Sequence, residues 1–157
     1  MKWDKPAILN IENESFEDPW LEEEFDRVLE FRHVMLYVAE YEDQVVGYSV
    51  FELLPNIIHV LNFAVHHRYR RLGVGSQMVA QLLDHLSWQC KWRIMLEIRE
   101  TNLQAQLFFK HNGFRAIQTL RDYYGGTTDD AYVFHHCLER TLKNRISRWF
   151  PTATFTN

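Results

Sequence analysis

A glycine-rich turn joins a strand-like segment to an amphipathic helix near the middle of the chain. Ile57 to Val65 is rich in β-branched and aromatic residues, which favours a strand. From Val74 to Leu86 the apolar residues recur at the 3.6-residue spacing of a helix buried on one side. The turn between them, residues 70–76, has the sequence RRLGVGS. A strand that leads directly into such a helix predicts a sheet with helices packed against it.

The segments before this turn predict two helices and a hairpin. Residues 8–31 are helix-like with a break near Asp18-Pro19, where Asp is expected as the N-cap and Pro as the first helical residue. Val34 to Glu40 and Val45 to Leu53 are strand-like, and the polar residues 41–44 form the turn of an antiparallel hairpin.

The segments after the turn predict a strand, a short helix and two closing strands. In residues 93–99 the apolar side chains alternate with polar ones, so Glu97 lies on the face opposite Leu96 and Ile98. Thr101 and Gln104 have the spacing of a capping box before a helix over residues 102–112. Residues 114–120 and 131–138 are the closing strands. The order predicts an α/β (α+β) fold, a mixed and mostly antiparallel central sheet flanked by helices.

Length and charge limit the classes of protein and partner. The 157 residues predict one domain over residues 1–138, followed by a basic amphipathic extension over residues 139–157. The formal net charge of −4 gives no general reason to expect a nucleic acid partner. There is no apolar run long enough to span a bilayer and no secretory leader at Met1, so we expect no membrane partner and a cytoplasmic location.

The turn itself predicts an anion site. Glycines let backbone N–H groups approach a ligand closely, and a helix N-terminus adds donors and the positive end of a dipole. The spacing is neither the dinucleotide fingerprint nor a P-loop. A tight connection without a ligand is the alternative for this turn.

Several separated motifs resemble, in order and spacing, the acetyl-CoA-binding core of the GNAT N-acetyltransferase superfamily over roughly residues 8–138. The resemblance is closer to the ribosomal-protein-alanine N-acetyltransferases, in the elbow Phe16-Glu17-Asp18-Pro19-Trp20 and the loop Arg121-Asp122-Tyr123-Tyr124. The motifs shared with the superfamily are Asn62-Phe63-Ala64-Val65, residues 70–75, Leu96-Glu97-Ile98-Arg99, Asn102, Ala105 and Asn112-Gly113-Phe114.

The resemblance implies that acetyl-CoA is the cofactor. The strands that carry Ala64 and Glu97 are expected to splay apart so that the pantetheine arm inserts between them, and Asn102 is expected to hold that arm. A plain first-turn role is the alternative for Asn102. The cofactor residues implied are Phe63, Ala64, Val65, Arg70, Arg71, Leu72, Gly73, Val74, Gly75, Ser76, Asn102, Ala105, Phe108 and Phe109.

Glu97 is the implied general base. An N-terminal α-amine has a pKa of about 7.7–8.0, so a large protonated fraction must lose a proton before it attacks a thioester. The position of Glu97 in the alternating pattern fits a cleft, and it equally fits a solvent-facing strand position. Relatives place a general-acid Tyr at the position of Phe109, which cannot donate a proton. We expect Tyr124 to replace this tyrosine, with Tyr123, His111 or water as alternatives.

The acceptor amine is expected between the elbow and the loop before the last strand, against Pro19, Trp20, Tyr123 and Tyr124. The alternative for Phe16 and Trp20 is that they fix the elbow to the core. Nine acidic residues between positions 10 and 30 form either an acidic rim that attracts amines or an ordinary solvated helix face.

The predicted function is transfer of an acetyl group to a primary amine by direct attack in a ternary complex. The acceptor is a protein or peptide N-terminus, a small-molecule amine is the alternative, and a catalytically silent acyl-CoA-binding module is a third possibility. The pairs His66-His67 and His135-His136 are not expected to bind a metal, because neighbours on a strand point to opposite faces. The edge strand that precedes the first helix in relatives is not apparent, which makes a homodimer as plausible as a monomer.

Overall fold

The computed structural model describes residues 4–87, 92–125 and 128–138. They form a six-stranded mixed sheet flanked by helices, which confirms the predicted fold class. The elements are α1 (Lys5–Ser15), α2 (Glu22–Leu29), β1 (Val34–Tyr41), β2 (Gln44–Leu53), β3 (Ile57–Val65), a 3-10 turn (His67–Tyr69), α3 (Val74–Asp84), β4 (Arg93–Arg99), α4 (Leu103–His111), β5 (Arg115–Leu120) and β6 (Ala131–Cys137).

The strands lie in the order β1-β2-β3-β4-β6-β5, and all neighbours are antiparallel except β3 and β4. The parallel pair is in register only from Ile57 with Arg93 to His59 with Met95. Beyond that point the two strands diverge, which confirms the predicted splay. The divergence leaves backbone on β3 and β4 that pairs with no strand across the gap, next to Glu97.

The helices divide between the two faces of the sheet. On one face, α1 and α2 bury Ile8, Ile11 and Phe25 against Tyr48 and Val50 of β2. On the other face, α3 and α4 pack their apolar sides against β2, β3 and β4. The buried residues of this second layer include Phe51, Ile58, Val79, Leu82, Ile94, Leu96, Phe109 and Phe114.

A bulge in β3 explains how one strand serves both layers. The pairing of β2 with β3 shifts register between Val50 and Phe51, and Leu61 is the residue left without a partner. Before the bulge, Ile58 and Val60 pack toward α3 and α4. After the bulge, Ala64 packs toward α1 and α2. The shift therefore changes which side chains face each layer in the second half of β3, the part of the strand that leads to the turn at residues 70–76.

The elbow, residues 16–21, is longer than expected. Asp18-Pro19 does not begin the second helix, so that prediction is wrong; α2 begins at Glu22 with Leu21 as its N-cap. The backbone N–H of Leu21 donates to the carboxylate of Glu24 at 2.8 Å. The Glu24 carboxylate therefore accepts a hydrogen bond from the N-cap residue of α2, and Asp18 is not needed as a cap.

Other helix ends also differ from the predicted ones. Thr101 is not the cap of α4; Asn102 is, since its Oδ1 accepts from Ala105 N at 3.0 Å. Helix α3 ends at Asp84 rather than Leu86. The predicted extension over residues 139–157 lies outside the described residues. Among the described elements, α1 comes first in the chain, no strand precedes it, and β1 forms one edge of the sheet. No helix among the described residues is long and apolar enough to cross a bilayer.

Candidate active site

The glycine turn, residues 70–76, is anchored by Arg70. The Arg70 guanidinium donates to the carbonyl oxygen of Val65 at 2.8 Å and to Ser15 Oγ at 2.9 Å. These bonds join the turn to the end of β3 and to the end of α1. Arg70 therefore shapes the turn, and part of its positive charge remains beside the cavity that the turn borders.

At the start of α3, no side chain of the described residues caps the backbone N–H groups. Its N-cap is Gly73, which adopts a left-handed conformation with φ of 87° and makes no side-chain cap hydrogen bond. The first N–H groups of a helix have no intrahelical acceptor, so they are available to an anionic ligand. This donor set fits the diphosphate of coenzyme A.

A cavity of about 600 Å³ opens in front of these donors. It runs between the turn and α4, with the end of β3 as its inner wall. Its size suits an extended ligand of cofactor dimensions. The lining residues are Ser15, Phe16, Phe63, Ala64, Val65, Arg70, Arg71, Gly73, Gly75, Ser76, Asn102, Gln104, Ala105, Leu107, Phe108, Phe109 and His111.

Gly75 lets α3 and α4 pack closely together. A Cβ atom at this position would lie 3.0 Å from Cζ of Phe108, closer than ordinary contact. Phe108 in turn stacks at a tilt against Phe63, with ring centroids 5.8 Å apart. The aromatic wall and the glycine turn are therefore parts of one packed unit.

Most of the predicted cofactor residues meet at this cavity, but Leu72 and Val74 do not line it. Leu72 is exposed, and Val74 packs beside Met78 on α3. Asn102 lines the cavity and also caps α4, so both of its alternative roles are compatible with the structure. Phe109 is buried and packs edge-on against Phe114. Sequence reasoning did not assign Ser15, Gln104 or Leu107 to this wall, since only the folded arrangement brings them there.

Glu97 belongs to a chain of three titratable side chains at the fork between β3 and β4. His59 Nε2 lies 2.7 Å from Glu97 Oε2, and His59 Nδ1 lies 2.8 Å from Glu52 Oε1. The hydrogen bond with Glu97 raises the pKa of His59 to about 9, and Glu52 adds to the shift while burial opposes it. At neutral pH the imidazolium donates to both carboxylates.

His59 and Glu52 were not predicted from the sequence as members of this site. Their partners are distant in sequence, since Glu97 is 38 positions from His59. Alternation gave a partial signal, because His59 lies between the buried Ile58 and Val60 and so faces away from them. It could not show that β3 and β4 are neighbours in a parallel pair, and that pairing brings the two side chains together.

Tyr123 and Tyr124 lie in the loop between β5 and β6, near Glu97. Burial raises the pKa of both phenols, and the negative charge of Glu97 adds to each shift. The guanidinium carbon of Arg99 lies 4.4 Å above the Tyr124 ring. Its positive charge lowers the pKa of the Tyr124 phenol, but this effect is smaller than the rise caused by burial. Both hydroxyls therefore keep their protons at neutral pH and can donate.

The elbow is fixed to the sheet by a buried carboxylate. Glu12 is 1% exposed, and its Oε1 accepts from the backbone N–H of Trp20 at 2.8 Å. The amide of Asn62 donates to both Glu12 oxygens at 3.1 and 3.2 Å, and the Tyr48 hydroxyl donates as well. Burial raises the pKa of Glu12. Glu12 is therefore not part of a solvated acidic face.

Trp20 serves the packing of this region. Its ring meets Phe25 edge-on, with centroids 5.3 Å apart, and both Phe16 and Trp20 pack on the layer of α1 and α2. Phe16 also lines the cofactor cavity. The core role that was the alternative for these two residues is therefore present, and the acceptor role of Pro19 and Trp20 stays a prediction.

His66 and His67 do not point to opposite faces, so that reason for discounting a metal was wrong. They follow β3, their rings stack at 4.6 Å, and both approach Glu14, with nitrogen to oxygen distances of 3.5 and 2.9 Å. The N–H of Arg68 donates to His66 Nδ1, which places the proton of a neutral ring on Nε2, facing Glu14. Hydrogen bonds therefore account for this cluster.

The comparisons with known proteins agree with this geometry. Residues 5–114 match the model of the acetyltransferase (GNAT) family. This chain belongs to that family. The prediction of a GNAT N-acetyltransferase is thereby confirmed.

Individual relatives are similar over much of the chain. An N-alpha-acetyltransferase of Sulfurisphaera tokodaii is 32% identical over 110 residues, which are 62% of this chain and 65% of that protein. The ribosomal protein bS18-alanine N-acetyltransferase of Escherichia coli K12 is 26% identical over 80% of this chain and 84% of its own. This chain therefore spans just under two thirds of the archaeal relative.

Among solved structures, the ribosomal-protein-S18-alanine N-acetyltransferase from Escherichia coli superposes with a TM-score of 0.77 at 22% identity. The match covers 92% of this chain and 94% of that one. At this identity the likeness shows the GNAT fold, with its splayed sheet, and leaves the choice of acceptor to the residues of this chain.

Proposed function

We propose that this GNAT enzyme transfers the acetyl group of acetyl-CoA to the α-amine of a protein or peptide N-terminus, with Glu97 as the general base. The observation that carries the proposal is the hydrogen bond between Glu97 and His59 at the fork of β3 and β4. This bond holds the Glu97 carboxylate beside β3, and the end of β3 forms the inner wall of the cavity.

Acetyl-CoA fits the cavity because the unsatisfied donors and the apolar wall match its two ends. The amides at the start of α3 and the charge of Arg71 would hold the diphosphate, and Phe63, Ala105 and Phe108 would pack along the pantetheine arm. When bound, acetyl-CoA supplies an acetyl thioester, which is open to attack by an amine.

Glu97 takes the proton that the substrate ammonium must lose, directly or through water. His59, whose pKa is raised to about 9, hydrogen-bonds Glu52 through Nδ1 and Glu97 through Nε2. His59 holds the Glu97 carboxylate by its Oε2 and thus fixes its orientation. Reaction geometry depends on such positioning as much as on basicity.

Tyr124 is the proposed proton donor to the leaving group, since Phe109 is buried and has no donor atom. The Tyr124 hydroxyl keeps its proton at neutral pH because burial raises its pKa. Tyr123 is a second hydroxyl in the same loop, with ring centroids 5.2 Å apart. We expect Tyr124→Phe to lower turnover less than removal of Glu97, because a thiolate is a tolerable leaving group.

A protein N-terminus is favoured over a small amine by the names of the relatives, which are N-terminal or ribosomal-protein-alanine acetyltransferases. The elbow and Tyr124 both contact Arg99, two positions after Glu97 on β4, and this arrangement would suit an extended peptide end. We propose action in the cytoplasm, as a monomer or homodimer, without a nucleic acid or membrane partner.

The experiment is acetyl transfer to paired peptides, followed by mass spectrometry that locates the acetyl group. One peptide of each pair has a free N-terminus, and its twin is N-terminally blocked and carries one lysine; spermidine represents small amines. We expect acetylation of the free α-amines alone. Transfer only to spermidine would replace the acceptor class, and tight binding of coenzyme A without transfer to any amine would support the silent module.

A further inference from the structure

Arg99 lies where three elements meet around the proposed acceptor entrance, the space between the elbow and the β5–β6 loop. It is the last residue of β4 and, by alternation, lies on the same strand face as Glu97. Its Nη2 lies 3.2 Å from Asp18 of the elbow, and its Nη1 lies 3.1 Å from Asp129 of the loop. Its guanidinium also covers the Tyr124 ring.

The chemistry of arginine suits this double contact. A planar guanidinium presents donors in a fixed fork and can bind two carboxylates and an aromatic face together, which a lysine ammonium cannot do in the same geometry. Here the two carboxylates are distant in sequence from Arg99, by 81 and 30 positions. One side chain therefore joins two segments that no strand pairing connects in the described sheet.

The two arms of this contact differ in strength. The side chains of Arg99 and Asp129 are 20% and 28% exposed, whereas that of Asp18 is 78% exposed. Solvent screens an exposed ion pair more strongly, so the loop arm is the firmer one and the elbow arm opens first. The elbow also has its own attachment, the bond from Trp20 to Glu12, so it keeps its fold when the Arg99 arm breaks.

We propose that Arg99 clamps the elbow to the β5–β6 loop and thereby sets the width of the acceptor entrance next to Glu97. The proposal rests on the proposed function, because the acceptor entrance is defined by it. Arg99 is a positioning residue that acts through Asp18 and Tyr124. It does not line the cofactor cavity, so its loss affects acceptor binding and leaves coenzyme A binding unchanged.

The test compares Arg99→Gln and Arg99→Lys with Lys5→Gln as a matched control. Lys5 also bridges two carboxylates, Glu22 at 3.0 Å and Asp26 at 2.7 Å, but it joins α1 to α2 away from the acceptor entrance. We expect the peptide KM to rise about tenfold in Arg99→Gln with a much smaller change in kcat. Arg99→Lys recovers only part of this loss, and Lys5→Gln keeps the wild-type KM.

Asp18→Asn tests the weaker arm in a protein that retains Arg99. We expect a smaller rise in KM, in line with the exposure of Asp18, and unchanged coenzyme A affinity by calorimetry. The clamp is overturned if the wild type acetylates peptides and both Arg99→Gln and Asp18→Asn match Lys5→Gln in KM. A wild type that binds coenzyme A but acetylates no peptide instead overturns the proposed function.

Discussion

The two halves of the proposed site, one for the cofactor and one for the acceptor, are built in different ways. In the cofactor half, the glycine turn and α4, the backbone of one short segment supplies the donors, and Gly73 and Gly75 determine its shape. The acceptor half consists of the elbow, the β5–β6 loop and the pair His59–Glu97. Its functional groups are side chains that come from distant segments of the chain. The first kind of site is local in sequence, while the second depends on the folded sheet.

The largest effect we predict separates the two halves. Glu97→Gln removes the proposed base and leaves the cavity lining intact, so kcat should fall by about 10²–10⁴-fold while coenzyme A affinity stays within experimental error of wild type. Steady-state kinetics and calorimetry on the same preparation measure both. Glu40→Gln, an exposed carboxylate on β1, is the control. Equal losses of kcat and coenzyme A affinity would show that the halves are not separable.

Removal of the buried carboxylate of the acceptor half should cost most in stability. Glu12→Ala leaves the Trp20 N–H and the Asn62 amide without their acceptor, so we expect about 3 kcal/mol lower free energy of unfolding. Urea denaturation measures this loss. Glu12→Gln should lose less, because it keeps the size and one acceptor of the side chain.

The stability of the wild type and that of Glu12→Gln should also depend differently on pH. Burial raises the pKa of Glu12 above its ordinary value of 4.5, so its contribution to stability is present below pH 4.5 and is lost as the pH rises through the folded-state pKa. The deficit of Glu12→Gln relative to wild type should therefore shrink as the pH rises above 4.5. A deficit that grows with pH would contradict the assignment of burial as the dominant cause.

A smaller effect is expected from the backbone of the cofactor half. Gly73→Ala places a Cβ atom at a φ of 87°, which costs about 1–2 kcal/mol, although the space around it is open. Thermal denaturation should show this loss, and coenzyme A affinity should fall because the turn relaxes. Gly113→Ala, at a glycine with the same φ of 87° that does not line the cavity, serves as the control. An unchanged affinity in Gly73→Ala would remove the turn from the cofactor site.

The smallest effect concerns the titration of His59. Its pKa is raised to about 9 from an ordinary value of 6.5, so the stability from its ion pairs is complete below pH 6.5 and is lost as the pH rises through 9. We expect about 1 kcal/mol from this partly exposed group. Unfolding free energies of wild type and His59→Gln should converge between pH 6.5 and 9.5 or so. Parallel curves over that range would show that His59 is not paired in solution.

The proposed cofactor half has signals in the sequence because those signals are local. Gly73 and Gly75 fall between a strand pattern and a helix pattern, and that order alone indicates a backbone anion site. The same reasoning failed at Asp18-Pro19 and Thr101, where a good capping residue was present but a neighbouring group made the hydrogen bond instead. Capping patterns identify a helix start to within a few residues, and the side chains nearby decide which residue caps it.

The acceptor half could be predicted only in part. Resemblance pointed to Glu97 and to the tyrosines, but the pairing of His59 with Glu97 requires that β3 and β4 be parallel neighbours. Glu12 was grouped with eight exposed or partly exposed acids because composition cannot show that one helical position faces Tyr48 and Asn62. The tertiary contacts of individual side chains are the features of the site that cannot be predicted from one sequence.

The most direct test of the account is a titration of the isotopically labelled protein with coenzyme A, followed by the backbone amide signals in NMR spectra. We expect the largest shifts at Gly73, Gly75 and Ser76, which line the cavity at the start of α3. Smaller changes are expected at Tyr123 and Tyr124 in the acceptor half. Saturation by coenzyme A without shifts at these three amides would contradict the account.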